Sequence, residues 1–157
     1  MAKPNSYIRR KIRSMKASDI NDGIKKKVIE TLTDNYMLIC LVDLVEDTYE
    51  VIQSSNAPGY EMITGGVYSH FSEEYNSKYV DEAFQKVRGK TGSIDFLAEA
   101  LRHDPSVSCD FLMKNGQARR TVFKRFEMDA EKVTRAILYS YQLDSARAGR
   151  LMERRRL

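Results

Sequence analysis

Cysteine, histidine and tryptophan are scarce in this chain of 157 residues, which has two cysteines, two histidines and no tryptophan. Cys40 and Cys109 make neither a disulfide framework nor a four-cysteine metal site. Two histidines, His70 and His103, leave nothing from which to build a Ser/His/Asp or Cys/His constellation. Long apolar runs are absent too. The longest, residues 37–42, has the length of a strand, far short of the roughly 20 residues of a membrane span. The basic start has no apolar segment behind it, unlike a secretory signal, so a cytoplasmic location with no membrane span is expected. Gly65-Gly66 lacks the Lys-Ser/Thr that completes a phosphate-binding loop. The carboxylate pairs Glu46-Asp47, Glu73-Glu74 and Asp81-Glu82 are adjacent in sequence, so they diverge on a helix or turn instead of sharing a proton. An enzyme has no residues to rest on here, and no cofactor is required by the sequence.

What is present is an ordinary globular composition, 42% hydrophobic and 31% charged, with a net charge of +4 that is unevenly spread. Residues 1–27 carry net +7 and residues 146–157 net +4, which leaves −7 for the middle. The excess of positive charge at the ends raises nucleic acid as a partner. The acidic middle has no reason to attract phosphate, and the arginine clusters lack aromatics or a helix-turn-helix pattern, so nucleic acid is the weaker expectation.

Residues 1–18 read as a basic extension. From Asp19, the four-residue recurrence of Ile20, Ile24, Val28, Leu32 and Tyr36 predicts an N-terminal helix over 19–36. Residues 38–42 are apolar on both alternating faces and predict a strand covered on both sides, central in its sheet. A turn at 46–48 leads to a second strand over 48–53. Residues 54–66, with Pro58, Gly59, Gly65 and Gly66, read as loop with a short helical piece. A helix over 72–87 follows, with Tyr75, Tyr79, Val80, Ala83, Phe84 and Val87 on one face and Gly89 at its end. A shorter helix over 93–102 turns Ile94, Leu97, Ala98 and Leu101 inward and stops at Pro105. Val107, Cys109, Phe111 and Met113 alternate with polar residues in a half-buried strand. Asn115-Gly116 predicts a type I′ hairpin turn, and strands over 117–127 and 133–141 complete a meander. Leu143, Ala146, Leu151 and Leu157 give a thin apolar stripe to a basic C-terminal helix over 143–157.

A hairpin, a helical crossover and a three-stranded meander make one five-stranded antiparallel α+β sheet if the first strand lies in the middle. This layout resembles the PAS fold, whose sheet order is 2-1-5-4-3. In sequence the chain resembles the PAS-like sensory domains that precede bacterial diguanylate cyclase (GGDEF) or histidine kinase domains. The resemblance rests on Asp34-Asn35-Tyr36 leading into residues 39–44, on residues 47–52, and on the run Asp110-Phe111-Leu112-Met113-Lys114-Asn115-Gly116. It covers residues 32–144, with a PAS-like core over 37–142. Such domains often carry tryptophan after the Asn-Gly turn, and this chain has none.

The resemblance implies a module that senses a small ligand or partner and passes a shift to an output domain in cis. Homodimerisation would run through the N- and C-terminal helices. Tyr49, Cys109, Phe111, Met113, Phe123 and Tyr139 are the ligand-pocket candidates between sheet and crossover helices, and the same residues serve equally to fill a core. His70 is set between a haem or metal ligand, as in some PAS-like domains, and a plain loop or cap residue. The reactive-cysteine motif of a flavin photosensor is missing, so both cysteines read as small core hydrophobes. A regulator that holds nucleic acid through its basic ends is the alternative.

Overall fold

A computed structural model of the chain describes residues 22, 23, 28, 37–54 and 64–156. Two compact units divide it, Met1–Asp34 and Asn35–Leu157. In the first, the described residues Asp22, Gly23 and Val28 are helical. The basic extension over 1–18 and the other positions of the expected helix over 19–36 lie outside the described residues, as does Leu157.

The described residues of the second unit are α+β, with one six-stranded antiparallel sheet and four helices. Its strands are β1 (Leu38–Asp43), β2 (Thr48–Ser54), β3 (Gly65–Val67), β4 (Ser106–Leu112), β5 (Ala118–Asp129) and β6 (Lys132–Gln142). Its helices are α1 (Tyr68–Tyr79), α2 (Glu82–Thr91), α3 (Ile94–His103) and α4 (Ser145–Arg156). The sheet order is β3-β2-β1-β6-β5-β4. The expected five strands become six because Gly65–Val67, read as loop, pairs with Thr48–Glu50 at the margin of β2. Two glycines show no alternation that would betray a strand. They permit the close approach instead: a Cβ at Gly65 would stand 2.8 Å from the Tyr49 carbonyl oxygen.

β1 lies between β2 and β6, and Leu38 through Val42 are all buried. Leu38, Cys40 and Val42 join Leu138, Phe123 and Phe111 in a core to which Tyr75, Val80, Phe84, Leu97 and Leu101 of the helices contribute. Ile39 and Leu41 sit on the alternate face, across from Tyr139 and Ile137 of β6. A strand apolar on both faces thus occupies an interior place in the sheet, as its pattern requires.

The expected helix over 72–87 is two helices. Between them Val80 makes an isolated bridge to Met113. The Asp81 amide donates to the Leu112 carbonyl at 2.9 Å and the Lys114 amide to the Tyr79 carbonyl at 2.8 Å. These backbone bonds fix the break against the end of β4. Asp81 then caps α2, its carboxylate accepting from the Ala83 amide at 3.0 Å. The restart changes the helical phase. Phe84 and Arg88 turn inward, and Ala83 and Val87, expected inside, are exposed. α2 runs past Gly89 and ends at Gly92, and Ser93 caps α3 through its hydroxyl.

Two turns also differ from expectation. Met113 accepts from the Gly116 amide at 2.9 Å, and only Gly116 of the Asn-Gly pair has positive φ, at 90°. This is a three-residue loop with a glycine bulge in place of a type I′ turn. At the β5–β6 turn Ala130 has φ 55°, a left-handed conformation that costs an alanine about 1 kcal/mol. Ala130→Gly is expected to stabilise the protein by about 0.5–1 kcal/mol in urea titration. In α4, Leu151 is buried while Ala148 and Met152 pack on the core, and Ala146, assigned to the stripe, is exposed.

The start of α1 has an unusual closure. Its own N-cap, Val67, offers no side-chain acceptor. Asp47, in the β1–β2 turn at φ 57°, supplies one from across the fold. Its carbonyl accepts from the Tyr68 amide at 3.0 Å, and its carboxylate accepts from the Ser69 amide at 2.9 Å and from the Ser69 hydroxyl. Asp47→Ala is expected to cost about 1–2 kcal/mol, measured by chemical denaturation, whereas Asp47→Asn should retain most of the stability.

Candidate functional site

The second unit assembles its least ordinary chemistry where α1, α2, β4 and β5 meet. Phe84 and Arg88 are one helical turn apart, so burying Phe84 carries Arg88 inward as well. Arg88 is only 7% exposed. Its guanidinium carbon lies 4.7 Å from the centre of the Tyr75 ring and 5.0 Å from that of Phe111. Nε and Nη1 are shut off from solvent without a hydrogen bond, and no carboxylate among the described residues pairs with the side chain. A second arginine, Arg119 of β5, is fully buried. It stands opposite Phe111 in register, donates from Nη1 to the Tyr75 hydroxyl at 2.8 Å and from Nη2 to Gln117 Oε1 at 3.3 Å. Tyr75 thus touches both cations, one through its ring and the other through its hydroxyl. The attraction of a desolvated guanidinium to a ring is worth about 2 kcal/mol, which offsets only part of a burial cost of several kcal/mol.

A cleft of about 270 Å³ opens where α1 meets the α2–α3 junction, and none of Arg88, Arg119, Tyr75 and Phe111 lines it. Tyr68, Ser72 and Asn76 of α1 line it, together with Gly89 and Gly92 from the end of α2 and Ser93. Asp47, Glu73 and Asp95 make it acidic. The Tyr68 hydroxyl donates to the Gly92 carbonyl at 2.6 Å. Burial pushes the Tyr68 phenol well above its ordinary range, against the opposing pull of Arg88. Cys40 is likewise pushed up by burial and by neighbouring Glu50. Cys109 is raised by burial, with Arg88 acting in the other direction. These thiols and this phenol stay protonated at neutral pH and are therefore poor nucleophiles.

Five of the six sequence-derived pocket candidates come together in the core: Tyr49, Cys109, Phe111, Met113 and Phe123. Tyr49 stacks on Phe71 at 4.7 Å, the Met113 sulfur accepts from the Tyr75 hydroxyl at 3.5 Å, and Phe123 meets Tyr68 edge-on at 6.5 Å. Tyr139 does not join them. It lies on the other face of the sheet, in register with Ile39, and stacks on Tyr141. None of the six lines the cleft. His70 is an exposed residue of α1 instead of a loop residue, and the described residues contain no group of three or more His, Cys, Asp or Glu placed to hold a metal ion.

The C-terminal helix is fastened to the same elements. Asp144 caps α4 by accepting from the Arg147 amide at 2.9 Å. The Arg147 side chain reaches Asp110 of β4 at 3.3 Å. Asp110 is also gripped by Arg120, whose Nη2 lies 2.8 Å from Oδ2 and whose pKa this carboxylate raises. At the far end Arg155 pairs with Asp81 at 3.1 Å and Arg154 sits over the Phe84 ring at 5.8 Å. Leu151 is buried between these fastenings. No helix of the described residues is long and apolar enough to cross a membrane. No protein-family model, curated protein or solved structure matches the chain.

Proposed function

We propose that this chain is a sensory signal-transduction module with a PAS-like fold, which couples a small ligand or partner to an output domain through α4. Leaving out the three-residue β3, the strands run β2-β1-β6-β5-β4, which corresponds to the 2-1-5-4-3 arrangement of that fold. The helical crossover α1–α3 supports the same reading. The observation that carries it is the attachment of α4 to α2 through Asp81 and Phe84 and to β4 through Asp110. These are the two elements whose Arg88 and Phe111 meet in the core. A ligand that favours one placement of α2 over another would change the grip on α4, and only that difference in affinity could do so.

The output domain is read as a diguanylate cyclase or histidine kinase joined beyond α4, the location as cytoplasmic, and the assembly as a homodimer formed by the terminal helices. The nucleic-acid alternative is the weaker reading of α4, because Arg147, Arg154 and Arg155 are engaged with Asp110, Phe84 and Asp81.

Hydrogen exchange tests the coupling. In Asp81→Ala the amides at the end of α4 should lose protection by about two- to fivefold while β1 and β6 keep theirs. Unchanged α4 exchange in both Asp81→Ala and Asp110→Ala would remove the mechanism. Light scattering on the full chain tests the dimer separately, and a monomer at micromolar concentration removes it.

A further inference from the structure

We propose that Arg88 is the recognition group for a small organic monocarboxylate bound in the core between α1, α2 and β4. The inference rests on the sensory reading above and names its ligand class. The argument begins with an imbalance. Arg88 is 7% exposed and Arg119 fully buried, yet Arg88 has no carboxylate partner among the described residues. Buried charge in native proteins is ordinarily paired. An anion that enters this site would supply what Arg88 lacks, and the second cation, linked to the same Tyr75, adds to the attraction.

The geometry narrows the class. The guanidinium lies against the rings of Tyr75 and Phe111, and its Nε and Nη1 have no acceptor. A planar two-oxygen group pairs with two parallel hydrogen bonds along either edge of a guanidinium, Nε with Nη2 or Nη1 with Nη2, and each edge includes one of these two atoms. Phe111, Met113 and Cys109 make the surrounding core apolar, the environment a short hydrocarbon body would need. The cleft lined by Gly89 and Gly92 opens at the turn of α2 that follows Arg88, although Arg88 itself does not line it. Its carboxylates, Asp47, Glu73 and Asp95, repel multiply charged anions and so disfavour phosphates and nucleotides. The cleft also holds Asn76, whose Nδ2 donates to the Gln85 carbonyl at 2.8 Å while its buried Oδ1 has no donor. A carboxylate that carries an ammonium group would satisfy this atom as well.

Titration of the full chain with acetate, propionate, benzoate, alanine and inorganic phosphate tests the proposal, read by calorimetry and by the amide resonances of α2. At least one carboxylate should bind with a dissociation constant of about 1 mM or tighter, and phosphate more weakly. Alanine binding more tightly than propionate would assign Asn76 to the site, and the reverse would leave Arg88 as its centre; both support a carboxylate. Arg88→Met should weaken binding at least about tenfold with the fold intact by circular dichroism, and Arg88→Lys, which keeps charge but loses the planar fork, should fall between. Silence from all four carboxylates at about 10 mM, preference for phosphate, or undiminished binding by Arg88→Met overturns the proposal. The exchange experiment on α4 uses no ligand, so the sensory reading stands or falls independently.

Discussion

Arg88→Met is expected to make the ligand-free protein more stable, by about 1–3 kcal/mol, with a melting temperature several degrees higher. Truncation of a large buried side chain normally destabilises; here the substituted group is a cation at 7% exposure whose Nε and Nη1 go without acceptors. Taking it out of water costs several kcal/mol and leaves two donors unsatisfied, and the two ring contacts return about 2 kcal/mol each. Methionine keeps most of the length, removes the charge and places a polarisable sulfur between Tyr75 and Phe111, an arrangement that is itself favourable. Urea denaturation at neutral pH without added carboxylate is the measurement. A loss of stability greater than about 1 kcal/mol would mean that the rings hold the guanidinium better than its desolvation opposes them. A gain would mark Arg88 as kept at the expense of stability, the usual sign of a functional group.

Phe111→Ala is expected to have the largest effect of any single change in the second unit, a loss of about 3–5 kcal/mol. Phe111 has no exposed surface, stands opposite Arg119 in register and forms one wall of the Arg88 sandwich. Its removal leaves a cavity in rigid surroundings between sheet and crossover, and takes away a ring that faces a cation. The two contributions separate in a double-mutant cycle with Arg88→Met. The core term should persist in the Arg88→Met background, and the coupling term should be about 0.5–2 kcal/mol. A coupling near zero would reduce Phe111 to core filling alone.

Much of this fold can be read from residues taken one element at a time. The doubly apolar residues 38–42, the inward alternation of Cys109 and Phe111, and the short helix that begins at Ser93 each depend on forces that act within a few residues, and each finds its expected place. What escaped depends on partners distant in the chain. Nothing near Val80 announces a helix break, because the break is held by Leu112, Met113 and Lys114 of a later hairpin. Gly65–Val67 becomes a strand only because β2 offers it a margin. The cluster at Arg88 was hidden for a related reason. A continuous helix would have sent Val87 inward and Arg88 to solvent, and the new phase exchanges them. Arg119 left a fainter mark, since it shares the inward alternation of Thr121 and Phe123 in β5, but arginine at such a position is ordinarily read as exposed. Tyr139 was misplaced by one step of the two-residue period, which moves a side chain to the other face of a sheet.

The carboxylate that closes the first turn of α1 comes from a residue 22 positions earlier, and an order of assembly is the expected consequence. The amides that open the crossover have no local stop, so that turn is completed only after β1 and β2 have met and presented Asp47. A chain slow to join its two opening strands would be equally slow to finish the crossover, whereas a weakened α1 would leave the opening pair largely free to form. Refolding rates of Asp47→Ala set beside those of a mid-α1 substitution would show this direction of dependence.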